Sequence, residues 1–448
     1  MNNLENKQLE LHNNIPLLID ELNARLIERD ELSRLVVLAM LSMSHMFLIG
    51  ERGVAKSKTV ELVNGAIEGA TFWQLQVNAD TKHEELFGAK TTTEDGTIAY
   101  LAKRSILNTH YGVLDEMFKA LGDRLNSLLE VLVDRCYTSG DGIKKAIPLL
   151  SIFGTSNEYP TETRMLPYVD RFDFWYEVKR IQNKENRKKY LAGEYVRGAI
   201  ETQYFSLEDI EHIAKAKDFI MISNHIVEIF DSITSELIKQ RVKTSDRKYE
   251  KILHRAMKVS AYLNNRSEID ISDLFLLLHS AWHDEAEKEK VKRVVFEQIF
   301  GNMENIIGKT LEYKTKIEEI DTIKNANIYP FLNHTQNLDG SKKDVLFTQV
   351  INCADYVYSE YQKVSKNLEN LLEKYDTCLR VEELIEHNLF VTNYKQTAFT
   401  QAMLNDIQVL VESVNKKMAE LATWYESNPT PFDYQNNFSK KHNKAHVA

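Results

Sequence analysis

The sequence predicts a three-layer α/β domain, then an all-α block, then an α-helical C-terminal region. Up to about Val178, short apolar runs alternate with stretches of helical period, the pattern of a parallel sheet covered by helices on both faces. Beyond it the strand signal fades and apolar residues recur at helical spacing. Only 7 prolines and 16 glycines interrupt 448 residues, which favours long helices. The expected division is 1–180 for the α/β domain, 181–290 for a helical lid, 291–427 for a C-terminal helical domain or hairpin, and 428–448 for a polar, disordered tail.

The first informative element is "FLIGERGVAKS", Phe47 to Ser57. "SHMFLIG" reads as a short buried strand, and "KSKTVELVNGAIEG" as a helix with Val60, Leu62, Val63 and Ile67 on one face and Gly69 as its stop. A strand, a glycine-containing turn and a helix N-terminus form the frame on which backbone N–H groups cradle phosphates. Of the pattern GxxxxGK[ST], Gly50, Lys56 and Ser57 are present, and Gly53 stands where a sharp turn is needed. Glu51, Arg52 and Val54 complete the loop, and Ala55 replaces the last glycine. Alanine keeps the close approach to phosphate but is strained if the position requires positive φ.

Such a site also needs a carboxylate to hold Mg²⁺ and a group to orient water. In "YGVLDEMFKA" a short apolar strand ends directly on Asp115, a candidate for the metal, and Glu116, a candidate base. A strand end before an acidic helix start would explain one acid better than two. A third strand, "IPLLSIFGTSNE", ends at Asn157, which could bond a γ-phosphate or water or be an ordinary turn residue. Arg171 in "LPYVDRFDFWYEV" could reach a neighbouring subunit's nucleotide or form a surface ion pair. "KTSDRKYEKILHRAMKVSAYL" starts with an N-cap at Ser245 or Asp246, and Arg247 in its first turn opposes the helix dipole. A cation so placed suggests another use.

The ordered set "GERGVAKS", "EELFG", "GVLDEMFKA", "FGTSNE", "DRF" and "SDRK" resembles the MoxR family of AAA+ ATPases, and within it the RavA subgroup. The likeness runs from about Leu17 to about Trp282. It implies a P-loop AAA+ fold, ATP and Mg²⁺ as ligands, and ATP hydrolysis that remodels or matures other proteins, chaperone-like, in a hexameric ring. By the same resemblance Lys56 and Ser57 are Walker A residues, Asp115 and Glu116 Walker B, Asn157 sensor 1, Arg171 the arginine finger and Arg247 sensor 2. Ser57 and Asp115 would hold Mg²⁺, and Arg135 is the substitute finger. Alanine before the P-loop lysine is common in the family, whereas Arg52 departs from the usual proline. "TTTEDGTIAYLAKRSIL" would be the family's inserted hairpin, with "EDG" its turn. A partner with a von Willebrand A domain is also implied.

Composition fits this reading. The net charge of −10 gives no support to wholesale nucleic-acid binding. Cys136, Cys353 and Cys378 lack metal spacing and suit a reducing cytoplasm, the N-terminus is no signal peptide, and no apolar run is long enough to span a bilayer. His279 and His283 stand at i and i+4 without a third ligand nearby. "HEELF" at His83 lacks the second histidine of a zinc protease, and "SVNK", Ser413 to Lys416, lies in an amphipathic helix. Phe172, Phe174, Trp175 and Tyr176 alternate with charges as a core strand does. Two rival functions are a nucleic-acid motor, for which the inserted hairpin offers only Lys103 and Arg104, and a scaffold that binds ATP without turnover, against which Asp115, Glu116 and Arg171 argue.

The C-terminal region carries two long apolar stripes. Val357, Tyr361, Val364, Leu368 and Leu371 form one, and Met403, Ile407, Leu410, Val414, Met418 and Leu421 the other. They predict an antiparallel helical hairpin that projects from the ATPase and selects a partner, so that truncation near Asn325 would leave turnover intact.

Overall fold

The structure, a computed structural model, describes residues 2–92, 98–101, 105–119, 122–138, 143–160, 168, 170–301, 303–328, 340–392 and 397–427. Strands are β1 (Met46–Ile49), β2 (Ile67–Glu68), β3 (Phe72–Gln76), β4 (Ala89–Thr92), β5 (Ile98–Leu101), β6 (Tyr111–Asp115), β7 (Cys136–Thr138), β8 (Lys144–Ala146), β9 (Ser151–Ser156), β10 (Phe174–Glu177) and β11 (Phe205–Ser206). Five of them form one parallel sheet in the order β10-β1-β9-β6-β3. β1 and β9 are buried along their whole length, as central strands covered on both faces must be. In this register Ile49 lies opposite Ser156 and Leu114 opposite Gly154, so the carboxyl ends of β1, β9 and β6 sit side by side. Phe172, Phe174 and Trp175 are buried at and beside β10, as their alternation predicts.

The helix after β1 runs Lys56–Gly65 and is shorter than expected. Ile67 leaves the helix to pair with Phe205 as β2 and β11, a contact 138 residues distant in sequence that no local pattern announces. β4 and β5 form the expected antiparallel hairpin, while Glu94–Gly96 at its turn, and Lys103 and Arg104 after it, lie outside the described residues. A second hairpin, β7 with β8, was not foreseen.

Behind the sheet, the helix opened by Ser245 continues through a π-helical turn, Ile252–Met257, into Lys258–Leu263. His279 closes a 3₁₀ segment, Ile271–His279, so His279 and His283 do not share a helix face. His279 faces Glu31 at 3.4 Å and His283 faces Lys248 at 3.3 Å. Among the described residues there is no cluster of three His, Cys, Asp or Glu able to hold a metal, and no helix is long and apolar enough to cross a membrane. His83 packs its ring on Phe87, and Ser413 and Lys416 lie within the helix Thr397–Ser427.

The chain forms two compact units: Met1–Ile299 with Glu383–Tyr394, and Phe300–Glu382 with Lys395–Ala448. The helix Glu285–Phe300 runs unbroken through position 290. In the second unit the two predicted stripes are buried together, but a third helix, Met303–Asn327, adds Ile317 and Ile320 to the same core. Met403 is outside the described side chains, as is the tail 428–448. Asp321 of this third helix accepts the Tyr361 hydroxyl at 2.5 Å and pairs with Lys417.

The segment between the two long helices belongs to the first unit and closes a polar core there. Buried Asn388 donates to Ser272 Oγ at 2.8 Å and to Asp273 Oδ1 at 3.2 Å, and accepts from the Phe390 N–H at 3.0 Å. Asp273, fully buried, is also served by Ser260 and Arg266. Truncation near Asn325 would therefore strip the first unit of a buried segment, which changes the expectation for that truncation. Asn388→Ala leaves buried polar groups unpaired and is expected to destabilise the protein by about 2 kcal/mol, read as a lowered denaturant midpoint at unchanged m-value.

Candidate active site

The loop Gly50–Ala55 connects the end of β1 to the helix at Lys56. Gly50 has φ 151° and donates its N–H to Ser156 O at 3.1 Å. A Cβ there would lie 2.3 Å from the carbonyl oxygen of Val178, so only glycine permits this strand to turn against the chain leaving β10. Gly53 at φ 79° and Ala55 at φ 68° are both left-handed. The alanine thus holds the conformation for which a glycine is the usual residue, at a strain of about 1 kcal/mol.

Lys56 is buried and turned back along the loop, donating to the carbonyls of Gly50 and Glu51 and, at 3.0 Å, to Asn157 Oδ1. Burial pushes its pKa down, while Asp115 and Glu116 oppose the shift. Asn157, at the end of β9, donates its Nδ2 to Glu116 Oε1. Glu116 itself is left-handed at φ 57°, which carries its carboxylate back over the strand ends. Its other contacts are Lys119 at 3.2 Å and Arg52 at 3.8 Å. Asp115 accepts from Thr155 Oγ1. Ser57 follows Lys56 in the first helical turn, half-buried. One locus therefore gathers Lys56, Asn157, Asp115, Glu116 and Arg52 from three strand ends.

The flanks of the loop are held by residues that local patterns do not reveal. Arg29 donates to Val54 O at 3.1 Å and Lys179 O at 2.8 Å, and Arg180 pairs with Glu51 at 2.8 Å. Beside them opens a cavity of about 410 Å³ lined by Arg29, Glu31, Tyr176, Val178, Leu278 and Trp282 among others.

Arg171 and Arg247 lie elsewhere. Both line a separate cleft of about 190 Å³ that includes Lys248 and Arg255 but no residue of Gly50–Ser57. The cleft that Arg247 lines is therefore not shared with the loop Gly50–Ala55. Arg171 Nη1 pairs with Asp170 at 3.1 Å, and Asp170 accepts from Ser245, the N-cap of the helix that carries Arg247. Burial pushes Lys248 down to about 8, against the opposing pull of Asp170 and Asp173. Arg135 lines it too, but its guanidinium is engaged by the carbonyls of Met43 and Leu150, leaving Arg171 the freer of the two finger candidates.

Residues 13–215 match the family model of the MoxR domain found in MoxR–vWA–β-propeller ternary systems, and residues 221–295 match that of the AAA lid domain. Over these residues the chain is similar to a MoxR-type AAA+ module. Two uncharacterized proteins of Methanocaldococcus jannaschii are each 29% identical to it, one over 86% of this chain and 97% of its own length, the other over 79% and 98%. At 86% coverage the alignment must extend past residue 300, so the C-terminal helices are shared with that relative in part. The crystal structure of a candidate ATPase from Cytophaga hutchinsonii has the same fold, with a TM-score of 0.54 at 17% identity, covering 66% of this chain and 97% of that one. The loop Gly50–Ala55 is held in strained form, and this is testable. Ala55→Gly is expected to raise unfolding free energy by up to about 1 kcal/mol, less the entropy glycine adds to the unfolded chain, whereas Gly50→Ala must displace Val178 and lower thermal stability markedly in melting curves.

Proposed function

We propose that this chain is a RavA-like, ATP-hydrolysing member of the family that works as a cytoplasmic hexameric ring on other proteins. The observation that supports this best is the single amide of Asn157 joined to both Lys56 and Glu116. It couples a phosphate-binding cation to a carboxylate able to take a proton from water. In the proposed reaction, backbone N–H groups of Gly53 to Lys56 bind the phosphates, with Lys56 neutralising the β and γ groups. Glu116 accepts the proton of the attacking water, and Asn157 orients that water. The adenine enters the cleft beside Arg29, Tyr176 and Trp282.

The hydroxyl of Ser57 and the carboxylate of Asp115 are hard oxygen donors, few in number, which suits Mg²⁺ shared with phosphate oxygens rather than caged by protein. When bound there, the ion would supply neutralisation of phosphate charge. Thr155 fixes the Asp115 carboxylate from behind. Because Arg171 and Arg247 share a cleft apart from the phosphate loop, both are proposed to serve the nucleotide of the adjacent subunit. A von Willebrand A-domain protein, and by the description of the matched family a β-propeller protein, are the proposed associates.

Glu116→Gln is expected to retain ATP binding but lose turnover by roughly 10²-fold or more, whereas Lys56→Ala loses binding. Unchanged turnover in Glu116→Gln would exclude Glu116 as the base. Arg171→Ala should bind ATP and hydrolyse it up to about 10³-fold more slowly. Mixed rings of the Arg171 and Lys56 variants should regain activity, since some interfaces then pair an intact loop with an intact finger. Co-assembled rings without regain would place the finger elsewhere.

A further inference from the structure

Glu116 is held on both carboxylate oxygens. Oε1 accepts from Asn157 Nδ2 and faces Arg52 Nε at 3.8 Å, while Oε2 faces Lys119 Nζ at 3.2 Å. The carboxylate is nearly inaccessible, at 7% side-chain exposure, whereas the two cations that cover it stand 76% and 52% exposed. These contacts draw on three of the roughly four lone-pair sites of a carboxylate and fix its orientation, which leaves little of it open to a water molecule. The restraint is also easily broken, because exposed ion pairs hold weakly.

We infer that Arg52 and Lys119 are positioning residues that restrain Glu116, and that phosphate in the loop releases it. This rests on the reading of Glu116 as the base. Arg52 sits at the tip of the phosphate loop between Glu51 and Gly53, so phosphate oxygens there compete with Glu116 for its guanidinium. Lys56 and Asn157 extend the same logic. The Lys56 ammonium now bonds Asn157 Oδ1, and a phosphate taking that ammonium frees the amide to turn from Glu116 to water. Lys119, three residues beyond Glu116, then has its exposed ion pair with Glu116 to lose. Loop occupancy and base availability are thereby linked through three polar contacts of one carboxylate.

Two measurements test this. In steady-state ATPase assays Lys119→Ala should raise kcat by up to about fivefold, the limit for one exposed ion pair, with KM little changed and Lys119→Arg close to wild type. Arg52→Ala should raise kcat while weakening the affinity for a fluorescent ATP analogue, because it removes both the restraint and a phosphate partner. A fall in kcat, or no change, in Lys119→Ala overturns the inference. The second measurement needs no turnover. A water-soluble carbodiimide joins a carboxylate and an ammonium only in direct contact, so the wild-type protein should form a Glu116–Lys119 amide, seen by mass spectrometry as loss of one water from the peptide carrying both. A non-hydrolysable ATP analogue with Mg²⁺ should suppress that amide. Its absence, or its persistence with bound analogue, overturns the inference. An inactive wild-type protein would instead refute the hydrolytic reading, with the cross-link still deciding whether the restraint exists and is released.

Discussion

The candidate site depends on the register of three parallel strands. β1, β9 and β6 are neighbours and end at the same level, so that the loop after β1, Asn157 after β9 and Asp115–Glu116 at the end of β6 converge without any long side chain having to reach. A shift of β9 by one residue would turn Asn157 to the other face of the sheet and separate Lys56 from Glu116. The apolar, doubly covered interior of these strands fixes that register.

Strain is concentrated at the same place. Ala55 and Glu116 both hold left-handed backbones, and Gly50 turns where no Cβ fits. Rigid surroundings maintain these conformations: Arg29 and Arg180 anchor the loop from outside, and the Lys56 helix follows at once. His45 contributes from the opposite ends of the strands. Its Nδ1 accepts from the Ile152 N–H at 3.0 Å and its Nε2–H donates to Leu132 O at 2.8 Å, so the ring is neutral. Burial, with Lys251 and Arg135 nearby, pushes its pKa down to about 3.

A second cleft gathers several cations apart from the loop Gly50–Ala55. Arg171 pairs with Asp170, which accepts from Ser245, the N-cap of the helix that bears Arg247, so the α/β domain and the helical block are joined at this cleft. A π-helical turn in the helix of Arg247 puts Arg255 into the same cleft. The buried contacts of Asn388 tie the segment between the long C-terminal helices into the helical block.

The sequence by itself determined the central strands β1, β6 and β9, the loop with its missing glycine, the acid pair and the N-cap of the Arg247 helix, because each is set by neighbours within a few residues: apolar period, turn chemistry, and a side-chain oxygen facing the next N–H. Ser245 caps its helix as its spacing indicates. Tertiary structure alone decided which charges meet. Arg29 with Val54, Thr155 with Asp115, Gly50 under Val178, and the segment at Asn388 on Asp273 are contacts between positions distant in the chain, and no periodicity encodes them. The same holds for Arg247, whose place in the helix was legible but whose cleft was not. A side chain's direction is set by the helix that bears it, whereas what it faces is set by how that helix packs.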